Sequence, residues 1–242
     1  QASLPILSNN IAKNELEQFR STVTKTILQS LFIALPLTVL TVILRVPLVR
    51  IAFGAKQFPW NATLITARTL AYLAPAIATQ SVIQILIRSF YALHNTRTPL
   101  KISIVSLVVS IIIDYYSVKF TNMGIVGLAL SDSVGNVILC FGLLYFFIKK
   151  VDGFNWGSVY NRVLRIVLSS GLMGVVIWFS VKVFDLFVLD TTRTLNLLVV
   201  FSLSSVIGLA SYILFSSWFC KDELFLYQKY YLKLRQKYFN KQ

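Results

Sequence analysis

The sequence predicts an all-α integral membrane protein with about six transmembrane helices. Three observations predict it. Of the 242 residues 56% are hydrophobic and only 13% charged, against roughly 25% charged in soluble domains. Apolar runs recur that reach the roughly 20 residues a helix needs to cross a hydrocarbon core. The 23 Lys and Arg residues gather between and after those runs, so the formal net charge of +14 reads as membrane topology and contact with anionic lipid rather than as a nucleic-acid groove.

The first run spans about 24 to 46 and carries Pro36, which should kink it. A polar turn from Gly54 to Asn61 follows. The second run, about 66 to 92, holds Pro75 and a polar stripe of Thr79, Gln80 and Gln84, which one helical face turns toward a cavity or partner. Pro99 opens the third run, about 99 to 120, in the first turn, where its missing N–H costs nothing. The fourth spans about 123 to 148, the fifth 161 to 184 and the sixth 194 to 219. Small residues concentrate in the last two, at Ser170, Gly171 and Gly174 and at Ser204, Gly208 and Ser211, and predict close helix packing.

Cytoplasmic loops of membrane proteins are enriched in Lys and Arg. One side here carries Lys13, Arg20 and Lys25, then Arg88, Arg97 and Lys101, then Lys149, Lys150, Arg162 and Arg165, then a tail with Lys221, Lys229, Lys233, Arg235, Lys237 and Lys241. The other side holds the minority. Both chain ends are therefore predicted to be cytoplasmic. The predicted organisation is 1–23, the end of a preceding helix and a cytoplasmic loop; 24–148, four membrane helices; 149–160, a cytoplasmic loop; 161–219, two terminal helices; and 220–242, a basic tail. That tail interleaves Tyr and Phe with its lysines, and reads either as an amphipathic helix on the inner leaflet or as a solvated basic segment. The start at Gln1, without an initiator Met or a signal-peptide layout, reads as a piece of something longer.

Cys140 and Cys220 give no disulfide framework or metal spacing, and His94 is the only histidine. Metal clusters built on His and Ser-His-Asp hydrolysis are disfavoured, and no catalytic residue or cofactor is predicted. Asp114 is the unexpected residue: it follows Ser-Ile-Ile-Ile within the third run, and an ionisable group in a spanning helix marks a functional site by default. Asp132 lies on the return path in the fourth run. Counted from Thr121 the two are about 7 and 11 residues away, a depth difference of about 6 Å, so they are able to share a site.

Ser110 stands four residues before Asp114 on the same face, and Ser131, Ser133 and Asn136 offer further oxygens. Asp114, Ser110, Asp132 and Ser131 form a candidate site for Na+ or a proton, because oxygen-only ligation suits a hard cation and paired carboxylates raise one another's proton affinity. The alternative is that either Asp reaches an aqueous cavity, or pairs with a basic group outside these residues and serves assembly alone. Arg88, Arg97 and Lys101 surround the turn between the second and third runs. They read either as positive-inside anchoring or as guanidinium and ammonium groups that attract a pyrophosphate headgroup.

That turn, Phe90-Tyr91-Ala92-Leu93-His94-Asn95-Thr96-Arg97-Thr98-Pro99, resembles the FYA-x-x-D-T-R/K-T-P signature of the MurJ (MviN) family of lipid II flippases, with Asn95 where the family often has Asp. Leu4-Pro5-Ile6-Leu7-Ser8 is similar to the family's LP-x-LS, and Gly124-Ile125-Val126-Gly127-Leu128-Ala129-Leu130 to its G-x-x-GLAL. The resemblance covers essentially the whole chain, the last two helices by hydropathy only. It implies the C-terminal part of a member of the multidrug/oligosaccharidyl-lipid/polysaccharide exporter superfamily: most of the second lobe plus two terminal helices that form a groove for a polyprenyl tail. The implied activity is alternating-access transport of lipid II from the inner to the outer leaflet of the bacterial cytoplasmic membrane, not bond chemistry. The implied partners are lipid II, anionic lipids and the N-terminal lobe of the same protein.

The family's second-lobe cation site would map onto Ser110, Asp114 and Val126 to Asp132, with Asp114 the strongest carry-over. Two alternatives stand beside this: an exporter of another polysaccharide-linked lipid or a drug, and a membrane scaffold without transport.

Overall fold

The computed structural model describes residues 15–54, 58–121, 123–151, 156–187 and 194–220. The segment Leu4 to Ser8 and the basic tail from Lys221 lie outside the described residues. Among the described residues the chain forms helices only: α1 (Leu16–Ile43), α2 (Arg45–Phe53), α3 (Trp60–Leu73), α4 (Pro75–Ala92), α5 (Arg97–Phe120), α6 (Ile125–Lys150), α7 (Trp156–Phe187) and α8 (Thr194–Phe219). With α3 and α4 taken as one span, six of these segments are long and apolar enough to cross a membrane. Each corresponds to one expected apolar run.

The prolines explain where the helices depart from those runs. The first run was expected to reach residue 46, but α1 ends at Ile43 and the short α2 begins at Arg45. Pro47 cannot donate to the Ile43 carbonyl and disfavours helical geometry at Val46, so the ladder breaks there. Gly54, at φ 80°, then closes α2, in a conformation that costs a side-chain-bearing residue energy. The second span starts at Trp60, earlier than expected, and divides at Pro75.

Pro36 sits inside α1, which remains helical past it. Its missing N–H frees the carbonyl four residues earlier, at Phe32. Tyr212 on α8 donates its hydroxyl to that carbonyl at 2.7 Å and packs its ring 5.2 Å from Phe32. At the Pro75 break the Ser133 hydroxyl of α6 donates to the Tyr72 carbonyl. In both places a neighbouring helix supplies a donor beside a proline interruption, which is how a lipid-embedded backbone tolerates one.

Helix α1 is the hub, packing on α4 along one side and α7 along the other, while α5 pairs mainly with α6 and α7 with α8. One core joins Phe19, Val23 and Ile27 of α1 to Leu86 and Phe90 of α4 and Leu143 and Phe147 of α6. The Phe147 ring lies 6.2 Å from Phe19 and 5.9 Å from Phe90. A second core joins Leu28 and Phe32 to Ile166, Met173 and Ile177 of α7 and Tyr212 of α8. In lipid there is no transfer from water to drive these contacts, so shape complementarity and dispersion hold them. The outer face of α5 is apolar and uncovered, from Leu100 through Leu107 and Ile111 to Phe120, as expected of a surface turned to hydrocarbon or to another part of a membrane protein.

Candidate functional site

Helices α5 and α6 meet along a seam of serines and glycines. A Cβ added at Gly127 would lie 2.6 Å from the Ser117 Cβ, one at Gly142 would lie 2.7 Å from Ile102, and one at Gly135 would collide with the Ser110 hydroxyl. At Gly127 and Gly135 the facing groups are serine side chains, and at Gly142 the Ile102 side chain fills the space. Ser106 donates to the Gly135 carbonyl at 2.6 Å and Ser110 to the Ser131 carbonyl at 3.4 Å, both across the seam.

Near one end of this seam the half-buried Asp114 accepts a hydrogen bond from the buried Ser131 hydroxyl. Ser131 also lies 2.8 Å from the Leu128 carbonyl of its own helix. One hydroxyl proton thus faces two acceptor oxygens, leaving this cluster with more lone pairs than protons. Among the described residues no group of three or more His, Cys, Asp or Glu side chains converges, so a cation at Asp114 would be held by one carboxylate and neutral oxygens.

The structure brings Asp114, Ser131 and Ser110 together and places Asp132 in a different set. Asp132 is exposed and accepts from Asn136 at 3.1 Å, and Asn136 in turn accepts from Gln80 on α4 at 2.7 Å. Successive helical residues point about 100° apart, which is why Ser131 reaches α5 while Asp132 turns toward α4. Within the polar stripe expected on the second run, Thr79 lines a largely apolar groove of about 850 Å³ between α1, α4, α6 and α7, Gln80 makes the link to α6, and Gln84 is exposed. Arg88 is half-buried near the end of α4; Arg97 and Lys101 are exposed in the first turns of α5. Arg97 and Lys101 share a face, four residues apart. A cation in the first helical turn opposes the helix dipole, so helix stability is not the reason for Arg97.

Residues 1–198 match the family described as Lipid II flippase MurJ. The chain belongs to the MurJ lipid II flippase family. It is 29% identical over 203 residues to a probable lipid II flippase MurJ of Bdellovibrio bacteriovorus, covering 83% of this chain and 37% of the relative. To the lipid II flippase MurJ of Thermosipho africanus it is 26% identical over 221 residues, 89% of this chain and 41% of the relative. The chain thus spans about two-fifths of the length of these MurJ relatives. A solved structure of lipid II flippase MurJ in an inward closed conformation shares the fold, with a TM-score of 0.70 at 23% identity over 90% of this chain and 42% of that one. MurJ membership together with six apolar helices makes this a multi-pass membrane protein.

The MurJ-like signature from Phe90 to Pro99 acquires a physical account. Helix α4 ends in a Schellman arrangement: His94 N–H donates to the Tyr91 carbonyl and Asn95 N–H to that of Phe90, each at 3.0 Å, with His94 at φ 54°. Asn95, one residue before the Thr96 N-cap, then leads into α5, its Oδ1 accepting from the Thr98 amide at 3.2 Å and its Nδ2 donating to the Thr98 hydroxyl at 2.8 Å. An Asp at this position keeps the acceptor, so Asn95 is a change of side chain with the capping role retained. Ser110 and Ser131 were expected from the sequence, whereas Ser106, Tyr212 and the hydrogen bonds of Asn95 were not; the Asn-x-x-Thr spacing just ahead of Pro99 was the available signal for Asn95.

Proposed function

We propose that this chain forms most of the second lobe and the two terminal helices of a lipid II flippase in the bacterial cytoplasmic membrane, moving the lipid-linked peptidoglycan precursor outward by alternating access. The single observation that carries this reading is the family match over residues 1–198. The family is named for flipping lipid II, which is transport. Asp114 with Ser131 and Ser110 is the coupling site, taking Na+ or a proton in exchange for the hydroxyl-mediated closure of the α5–α6 seam; Asp132, Asn136 and Gln80 form a polar face toward the remainder of the protein. The apolar groove beside α7 suits a polyprenyl chain, and Arg88, Arg97 and Lys101 attract its pyrophosphate at the cytoplasmic end. Both chain ends lie on that side under the positive-inside rule.

The test is lipid II translocation by the full-length protein in liposomes, under imposed Na+ or pH gradients. Transport that depends on one gradient, and loses that dependence in Asp114→Asn, is expected. Gradient-dependent transport of lipid II by both forms would remove Asp114 from the coupling, and failure to move lipid II with transport of another lipid-linked glycan would favour the broader exporter reading.

A further inference from the structure

A second concave site lies at the opposite end of the bundle from the Arg97 turn. Successive spans alternate in direction, so the start of α2, the first half of α3 and the start of α6 share one end, while the α4–α5 turn lies at the other. There a pocket of about 790 Å³ opens between these elements, lined in part by Arg45, Arg68, Tyr72, Gly124 and Ile125. No carboxylate is among the residues that line it. The nearest acidic group along α6, Asp132, is two turns deeper, about 10 Å along the axis.

Two cations facing one cavity repel each other, and nothing in the described fold offsets that. Arg45 is half-buried and uses one guanidinium nitrogen, Nη1, on the Val42 carbonyl at 2.8 Å, which fixes the fork while leaving its other N–H groups available. Arg68 is exposed on α3, with no hydrogen-bond or ion-pair partner among the described residues. The α6 terminus adds positive potential of its own: Ile125 is the first residue of a 26-residue helix, and its amide has no intrahelical acceptor. Gly124, at φ 52°, turns the chain into that helix, and a Cβ built on it would meet nothing within 4 Å, so the space above the terminus is open.

We propose that Arg45, Arg68 and the amino-terminal end of α6 form an anion-binding pocket for a phosphate-bearing ligand, either a lipid headgroup or a free phosphate or pyrophosphate. Guanidinium forks bind phosphate oxygens in pairs, and the Ile125 amide at the start of α6 adds a donor, those of Val126 and Gly127 being taken by the Met123 and Gly124 carbonyls. The volume falls within the range of ligand pockets, roughly 300 to 1,000 Å³. Position sets it apart from Arg88, Arg97 and Lys101, and the inference does not rest on which lipid the protein carries.

The test uses the full-length protein in nanodiscs of phosphatidylcholine. Two probes are titrated by equilibrium binding: inorganic pyrophosphate, and undecaprenyl pyrophosphate doped into the disc. Arg68→Gln, at an exposed position, and the double variant with Arg45→Gln are compared with Lys119→Gln, which removes a charge from the same end outside the pocket. The arginine-dependent component of binding should weaken several-fold in Arg68→Gln and at least about tenfold in the double variant, with Lys119→Gln like the unchanged protein. Loss with both probes identifies a site for the free anion as well as the headgroup; loss with the lipid probe alone identifies a headgroup site. Should the double variant melt early, Arg68→Gln alone decides. Binding of both probes left unchanged by Arg68→Gln in a folded protein overturns the proposal.

Discussion

The α5–α6 and α7–α8 hairpins are both antiparallel pairs packed through serine and glycine, yet they spend their hydroxyls differently. In α7 and α8 the hydroxyls turn back on their own helices: Ser169 to Arg165, Ser170 to Ile166, Ser211 to Gly208 and Ser216 to Ile213. Gly208 gives passage to Ile177, whose Cδ1 would lie 2.6 Å from an added Cβ, and Gly174 does the same for Val39 of α1 at 2.8 Å. In α5 and α6 the hydroxyls cross the seam, from Ser106 to Gly135, from Ser110 to Ser131 and from Ser131 to Asp114. The bonds of Ser169, Ser170, Ser211 and Ser216 to their own helices hold nothing across the α7–α8 pair, and the buried Ser204 and Ser205 hydroxyls of α8 have no hydrogen-bond partner among the described residues. In the α5–α6 seam the bonds that cross surround a carboxylate, so the pairing of the two helices and the hydrogen bonding of Asp114 are tied together.

Substitutions can break that contrast. The largest effect is expected from Gly135→Val, which drives a branched side chain into Ser110 and should cost about 1 to 3 kcal/mol; Gly171→Ala, with nothing within 4 Å of its Cβ, should leave the melting temperature unchanged or raise it. Thermal unfolding in one detergent compares them directly. Equal effects would mean that a side chain is resisted no more inside the α5–α6 seam than on the open face of α7.

A smaller loss is expected from Tyr212→Phe, which strips the donor from the Phe32 carbonyl while keeping the ring. Hydrogen bonds between membrane helices average about 0.6 kcal/mol and reach about 1.7, and Tyr212→Phe belongs at the upper end because Pro36 leaves that carbonyl without its helical donor. Ser133→Ala should lose less at the Pro75 break, because the carbonyl whose helical donor Pro75 removes is that of Ala71 rather than the Tyr72 carbonyl that Ser133 bonds. Denaturation with and without each hydroxyl measures both, and a Tyr212→Phe variant as stable as the unchanged protein would show that water or a shifted backbone replaces the bond.

The smallest expected effect lies at the α4–α5 turn. Asn95→Ala should cost about 1 kcal/mol as a lost cap, and Asn95→Asp only a few tenths. A chemical-denaturation series separates the two; an Asp variant as damaging as Ala would mean that the Nδ2 bond to Thr98 matters more than the acceptor.

Much of this was legible in the sequence because hydropathy and proline are strong one-dimensional signals. All six spans were visible as apolar runs, and Pro99 marked the start of α5. The breaks at Pro47 and Pro75 were not drawn, since a proline shows that a helical bond is missing but not whether the chain will reorient there or borrow a donor. Tyr212 is the instructive case: its partner is 180 residues away, and nothing in the local pattern distinguishes it from another interfacial tyrosine. At the candidate site Asp114 stood out by its cost in lipid, and Ser110 and Ser131 followed from helical spacing. The separate allegiance of Asp132 was not readable, because depth along two helices fixes height and leaves the angle around each axis open.

The most direct test of the account is complementation in cells depleted of their own lipid II flippase, with outer-surface accessibility of lipid II as the readout. The full-length protein and its Ser170→Ala variant are expected to restore accessibility, while Asp114→Asn, at normal membrane abundance, is expected to fail. Rescue by Asp114→Asn equal to that of the unchanged protein would contradict the assignment of the α5–α6 seam as the working joint of the lobe.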